Sequence, residues 1–110
     1  MKEISGEADF RALAAADKPF CAVFSADWCP DCQVLKAALP SLEEEFGDRY
    51  DFAIIDRDQY MNLAQEFDVM GIPSFVVLKN DNVIGTFISK FRKTRAEIAS
   101  FLEETLTKAS

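Results

Sequence analysis

One apolar run that stops at a single point, where the hydrophobic period changes, constrains this chain more than any other feature. Phe20-Cys21-Ala22-Val23-Phe24-Ser25-Ala26 is nearly continuous in apolar character, as a central strand covered on both faces must be. Beyond it, Val34, Leu35, Ala38, Leu39, Leu42 and Phe46 recur at helical spacing. Between the two lies Asp27-Trp28-Cys29-Pro30-Asp31-Cys32, a strand-to-helix junction. Pro30 suits the first helical position, where its missing N–H and fixed φ carry little penalty, and this puts Cys29 at the N-cap. Free first-turn N–H groups favour negative charge on Cys29, and it is the thiolate that attacks a disulfide.

A Cys-x-x-Cys pair can also be half of a zinc site. Structural zinc takes four ligands, however, and this sequence has no His and only one further cysteine, Cys21, inside the apolar run. Cys21 reads as a small buried hydrophobe whose thiol is made inert by burial, so it is expected to stay outside any redox cycle. A redox pair therefore ranks above a metal site completed by a second chain and above two inert thiols, because strand-turn-helix is the context a redox pair requires.

Composition limits the alternatives. The chain of 110 residues, 49% hydrophobic, is enough for a single domain over 1–110 with a modest core. Lys and Arg total 12 against 19 Asp and Glu, and the net charge of -7 argues against general affinity for nucleic acid or an anionic membrane. An odd number of cysteines does not suggest a secreted disulfide scaffold. The opening Met1-Lys2-Glu3-Ile4-Ser5-Gly6-Glu7 has neither the basic flank nor the apolar stretch of a signal peptide, and no later run is long enough to span a bilayer. The expectation is a cytoplasmic monomer.

In chain order, Phe10, Leu13 and Ala14 share the face of a first helix that Asp17-Lys18-Pro19 stops. The helix after the cysteines is expected to run to about Phe46, bent near Lys36 to Pro40 by the proline, with Gly47 as a left-handed cap. Asp51 to Ile55 reads as a second strand, parallel to the first. Asp58 is the expected cap of a short helix with Tyr60, Leu63, Ala64 and Phe67 inward. Ser74 to Leu78 and Val83 to Ile88 flank Lys79-Asn80-Asp81-Asn82 as an antiparallel hairpin. Thr94 and Glu97 form a capping box ahead of a last helix with Ile98, Phe101, Leu102 and Leu106 inward. The fold class is α/β: a mixed sheet of about four strands with helices on both faces. For Ile72-Pro73, composition alone favours a trans bond marking a strand start, since about one in twenty folded X-Pro bonds is cis.

Taken together, Trp28-Cys29-Pro30-Asp31-Cys32 after a strand, Gly71-Ile72-Pro73-Ser74-Phe75 about forty residues on, and the Lys79-Asn80-Asp81 turn leading to Gly85 make the chain resemble the thioredoxin family from about Ala8 to Leu106. The resemblance implies the thioredoxin fold, Cys29 as an exposed attacking thiol, Cys32 as the resolving thiol and Pro73 as a cis proline beside them. It further implies that the backbone of Ile72 pairs with an extended substrate segment, a transient added strand. Trp28 and Pro30 flank the thiol, where the indole offers a flat contact to a protein partner.

Three positions depart from thioredoxin itself. The pair encloses Pro30-Asp31 where thioredoxin has Gly then Pro. The buried Asp and Lys of thioredoxin fall here on Val23 and Ile54, so the desolvation cost of that polar pair is gone, and with it the internal proton acceptor. The glycine after the hairpin is replaced by Ser89. The implied activity is reduction of protein disulfides, with no metal or organic cofactor and with electrons from a reductase or a low-molecular-weight thiol; no residue stands out as binding glutathione. The competing class is a non-enzymatic protein-binding module. Asp31 has two candidate roles, stabilising the free amide end of the helix or accepting the proton of Cys32. The basic cluster Lys90, Arg92, Lys93 and Arg95 reads as a solvated loop, with docking of an acidic reductase or target as the alternative.

Overall fold

The computed structural model describes residues 1–89 and 92–109. Its elements are α1 (Glu7–Ala15), β1 (Phe20–Ser25), α2 (Pro30–Lys36), α3 (Leu39–Phe46), β2 (Asp51–Asp56), α4 (Met61–Glu66), β3 (Ser74–Lys79), β4 (Asn82–Phe87) and α5 (Arg95–Ala109). Among the described residues the strands form one four-stranded sheet in the order β2-β1-β3-β4. β1 runs parallel to β2 and antiparallel to β3, and β3 is antiparallel to β4.

Strand alternation sorts the core into two layers. Phe20, Ala22 and Phe24 of β1 face Phe10 and Ala14 of α1 and Leu63 and Ala64 of α4. Cys21 and Val23 face Leu35, Leu39, Leu42 and Phe46 of α2 and α3, and Ile98 and Leu102 of α5. With helices on both sides β1 has no wet face, which is why its sequence is apolar throughout. Tyr50 joins the second layer to α5 by donating its buried hydroxyl to the Leu102 carbonyl at 2.7 Å.

The turn between β3 and β4 places Asn80 (φ 52°) and Asp81 (φ 65°) in the left-handed region, the backbone of a two-residue hairpin that Asn and Asp tolerate. Their amides reach the Ala16 and Ala14 carbonyls at 3.0 and 2.9 Å, tying the hairpin to α1. The capping box forms as read: Thr94 Oγ1 accepts from the Glu97 amide at 3.1 Å, and the Glu97 carboxylate accepts from the Thr94 amide at 3.0 Å. Gly85 lets α5 approach β4, since a Cβ there would lie 2.7 Å from Thr105 Oγ1.

Local structure differs from the sequence expectation at three points. The helix after the cysteines is broken rather than bent: α2 stops at Lys36 and α3 begins at Leu39, with Pro40 in its first turn, where a missing N–H costs no helical hydrogen bond. Gly47 is right-handed (φ -64°), not a left-handed cap. It is small because a Cβ would sit 2.5 Å from the Glu43 carbonyl oxygen. Asp58 does not cap α4, whose N-cap is Tyr60 without a side-chain bond. Asp56 satisfies the turn instead, its carboxylate accepting from the Asp58 and Gln59 amides at 2.9 and 3.1 Å.

Replacing Tyr50 by Phe keeps the ring and removes the bond to Leu102. The expected loss is about 1 kcal/mol, read as a lower urea midpoint at unchanged slope.

Candidate active site around Cys29 and Cys32

Phe24, near the end of β1, pairs with Ser74, the first residue of β3. Antiparallel pairing thus carries the junction after β1 to the same end of the sheet as the Ile72-Pro73 turn before β3. Cys29 and Ile72, 43 positions apart, meet there: the Cys29 thiol donates to the Ile72 carbonyl at 3.9 Å. The Ile72-Pro73 bond is cis, as the resemblance implies and against the reading from composition alone. Ser74 closes the turn by donating its hydroxyl to the Gly71 carbonyl.

Cys29 is the N-cap of α2, with extended backbone (φ -84°, ψ 115°), and Pro30 fills the first turn. Its Sγ accepts the Cys32 amide at 3.3 Å, one of the first-turn donors that no carbonyl can satisfy. The resemblance implies an exposed thiol, yet Cys29 is only 6% exposed. The side chain folds back onto its own helix and against Ile72. It is reached from an open groove of about 370 Å³ whose walls also carry Trp28, Pro30, Asp31, Arg57, Met70, Gly71 and Ile72.

Trp28, 61% exposed, is held at the rim by two neighbours. Its indole N–H donates to the Asp58 carboxylate at 2.6 Å, and the Arg57 guanidinium lies 5.5 Å from its ring centre. Neither partner was legible in the sequence, because Arg57 and Asp58 both arrive from the loop after β2. No spacing signal links position 28 to position 58.

Cys32 is buried, and desolvation, reinforced by its hydrogen bond with Cys29, pushes its thiol up to about 11; contacts with the Ser25 side chain and the Ala26 backbone pull the other way. It lines a different cavity, of about 150 Å³, together with Val23 and Ile54, the two positions where a polar pair was missing, and with Glu3 and Asp56. Cys21 is wholly buried on the same face of β1 as Val23, where desolvation raises its thiol far above the usual range. Asp31 lies on the groove, and its carboxylate accepts from Arg92 Nε at 2.9 Å.

Only part of the basic cluster is the solvated loop that its composition suggested: Arg92 is exposed, whereas Lys93 is buried. Lys90 lies outside the described residues. Arg92 pairs with Asp31, and Arg95 with Glu45 at 2.7 Å and Ser41 at 3.0 Å. Lys93 is buried. Its ammonium donates to the Pro73 carbonyl at 2.5 Å and to the Ser89 carbonyl and hydroxyl at 3.1 Å each, with the Phe87 ring 5.2 Å away. Burial lowers Lys93 from the ordinary lysine range, opposed by the charges of Cys32, Glu97, Asp31 and Cys29. One signal was available in the sequence: Lys93 directly precedes the Thr94 N-cap, a position whose side chain commonly packs inward.

Among the described residues no group of three or more His, Cys, Asp or Glu side chains has metal-holding geometry, and no helix is long and apolar enough to cross a membrane.

A mixed sheet whose first strand delivers a dithiol to a helix N-terminus, facing a cis-proline turn, is the thioredoxin fold. The family model described as Thioredoxin matches residues 2–104, and the chain belongs to the thioredoxin family. It carries a Cys-Pro-Asp-Cys site and has diverged from thioredoxins proper. It is 29% identical over 111 residues to thioredoxin X, chloroplastic, of Arabidopsis thaliana, covering all of this chain and 60% of that protein. It is 30% identical over 95 residues to thioredoxin of Rhodospirillum rubrum, covering 86% of this chain and 91% of that one. The chain spans 60%, 37% and 40% of the length of three curated relatives it matches, the last two being TxlA of Synechococcus elongatus and thioredoxin Y of Oryza sativa. Its fold superposes on the germline-specific thioredoxin Deadhead of Drosophila melanogaster with a TM-score of 0.81 at 23% identity, covering 94% of this chain and 98% of that one.

The raised thiols predict alkaline lability with a definite sign. In the unfolded chain a thiol ionises near about 8.5, whereas Cys32 holds its proton to about 11 and Cys21 beyond. The stability they contribute is therefore complete below the unfolded value and is lost as pH rises toward the folded one. Between those limits the reduced Cys21→Ala chain should lose less of its urea midpoint than the parent does, after a neutral-pH cavity cost of about 1 kcal/mol.

Proposed function

We propose that the chain is a thiol-disulfide oxidoreductase that reduces protein disulfides through a Cys29–Cys32 dithiol/disulfide cycle, acting as a single monomeric domain over residues 1–110. The Cys29 thiolate attacks one sulfur of the substrate disulfide, forming a mixed disulfide and releasing the other sulfur as a thiolate that takes up a proton. Cys32 then gives up its proton and attacks Cys29 Sγ. The second substrate thiolate leaves, and the substrate has gained two electrons that the Cys29–Cys32 pair has lost. A reductase or a low-molecular-weight thiol returns the pair to the dithiol, and the cycle needs no metal or organic cofactor. The cytoplasm, where thiols are kept reduced, suits such a cycle.

The observation that carries this reading is Cys29 at a helix N-cap, at the wall of an open groove and beside the Ile72 carbonyl. An extended substrate segment would pair with the backbone of Ile72 ahead of Pro73 and pack on Trp28 and Pro30. Reduction of insulin by dithiothreitol should be accelerated by the parent and not by Cys29→Ser. Absence of Cys29-dependent turnover would instead leave the groove, rimmed by Trp28 and the 89%-exposed Met70, as the docking surface of a binding module.

Asp31 is proposed to act on both cysteines. Its charge disfavours a thiolate nearby and so makes the pair a better reductant, while its carboxylate accepts the proton of Cys32. Arg92 offsets part of that charge. Asp31→Asn should raise the reduction potential and slow resolution of a preformed mixed disulfide by on the order of a hundredfold; Arg92→Ala should shift the potential the opposite way. An unchanged potential rejects the electrostatic role, and an unchanged resolution rate rejects proton transfer.

A further inference from the structure

Two residues that the exchange cycle leaves unexplained, Ser89 in the connection after β4 and Lys93 ahead of the Thr94 N-cap, meet each other. Lys93 is 5% exposed, and its Nζ spans two segments of chain: the Pro73 carbonyl at 2.5 Å on one side, the Ser89 carbonyl and hydroxyl at 3.1 Å on the other. An apolar side chain would fill this inward-facing position without the cost of desolvating an ammonium. One of these bonds, to Pro73, ends on the turn that faces the nucleophile. Pro73 follows Ile72, whose carbonyl takes the Cys29 thiol at 3.9 Å.

We propose that Lys93 is a positioning residue for disulfide exchange: it pins the Gly71-Ile72-Pro73 turn to the connection between β4 and α5, and so holds the Ile72 backbone edge where an incoming extended peptide must pair. The proposal rests on the reading of Cys29 as the nucleophile. It assigns Lys93 to recognition of the peptide backbone flanking the disulfide rather than to the sulfur chemistry. The two contributions separate by substrate. A disulfide inside a peptide uses the Ile72 edge, whereas 2-hydroxyethyl disulfide has no backbone to pair. The titratable groups facing Lys93 come from α2 (Asp31, Cys32), the N-cap Cys29 and α5 (Glu97). Removing the cation from among them alters the thiols alike for both substrates.

The experiment measures the single-turnover rate of the reduced parent, Lys93→Met and Ser89→Ala with a cystine-bridged peptide and with 2-hydroxyethyl disulfide. In Lys93→Met the peptide rate constant should fall about tenfold relative to the small-disulfide rate constant, the equivalent of one charge-assisted hydrogen bond. Ser89→Ala, which keeps the lysine and removes one acceptor, should show a smaller fall in the same ratio. An unchanged ratio in both variants, whether both rates drop together or neither moves, overturns the proposal. If Lys93→Met does not fold, the ratio in Ser89→Ala decides alone. A parent that reduces neither disulfide overturns the exchange reading and this proposal with it, and that result is visible before any variant is compared.

Discussion

Pairing of β1 on both of its edges is the constraint on which the site depends. Its parallel partner β2 and its antiparallel partner β3 leave it no free edge, and helices cover both of its faces. The run from Phe20 to Phe24 is apolar for that reason. Antiparallel pairing with β3 then has a geometric consequence: the chain leaving β1 and the chain entering β3 lie at the same end of the sheet. The two halves of the site, the cysteine junction and the Ile72-Pro73 turn, are neighbours because of strand direction.

The two thiols of the junction occupy different surroundings although they share one helical turn. Cys29 sits where amide donors point outward, and its Sγ accepts one of them. Cys32, a turn further in, faces a separate cavity and holds its proton tightly because burial penalises its charge. Around them the charges come in fixed pairings: Asp31 with Arg92, and Lys93 with carbonyl oxygens. Beneath Cys32 positions 23 and 54 are apolar, and the polar groups of that cavity come from other positions, Glu3 and Asp56 among them.

Much of this was legible in the sequence because it is local. The N-cap role of Cys29 follows from Pro30 one residue on, the hairpin from Asn80 and Asp81, and the capping box from Thr94 and Glu97 three residues apart. The errors fall where a neighbour distant in sequence decides. Asp58 has the chemistry of a helix cap, yet it turns to the indole of Trp28 while Asp56 serves the turn. Gly47 has the composition of a left-handed cap, but what excludes a side chain there is the Glu43 carbonyl. Lys93 carries the composition of a solvated loop, and only the packing of that loop against Pro73 and Phe87 buries it.

The sequence by itself determined which segments are strands and helices and that two cysteines would stand at a helix start, because hydrophobic period and capping chemistry act over a few residues. The cis state of Ile72-Pro73 was not among the things composition could decide; it required the resemblance to a family. Tertiary structure alone decided how deeply Cys29 lies, that Asp31 faces Arg92, and that Lys93 joins Pro73 to Ser89. Each of these depends on desolvation and on distances between groups far apart in the chain, and both quantities come into existence only when the sheet brings those groups together.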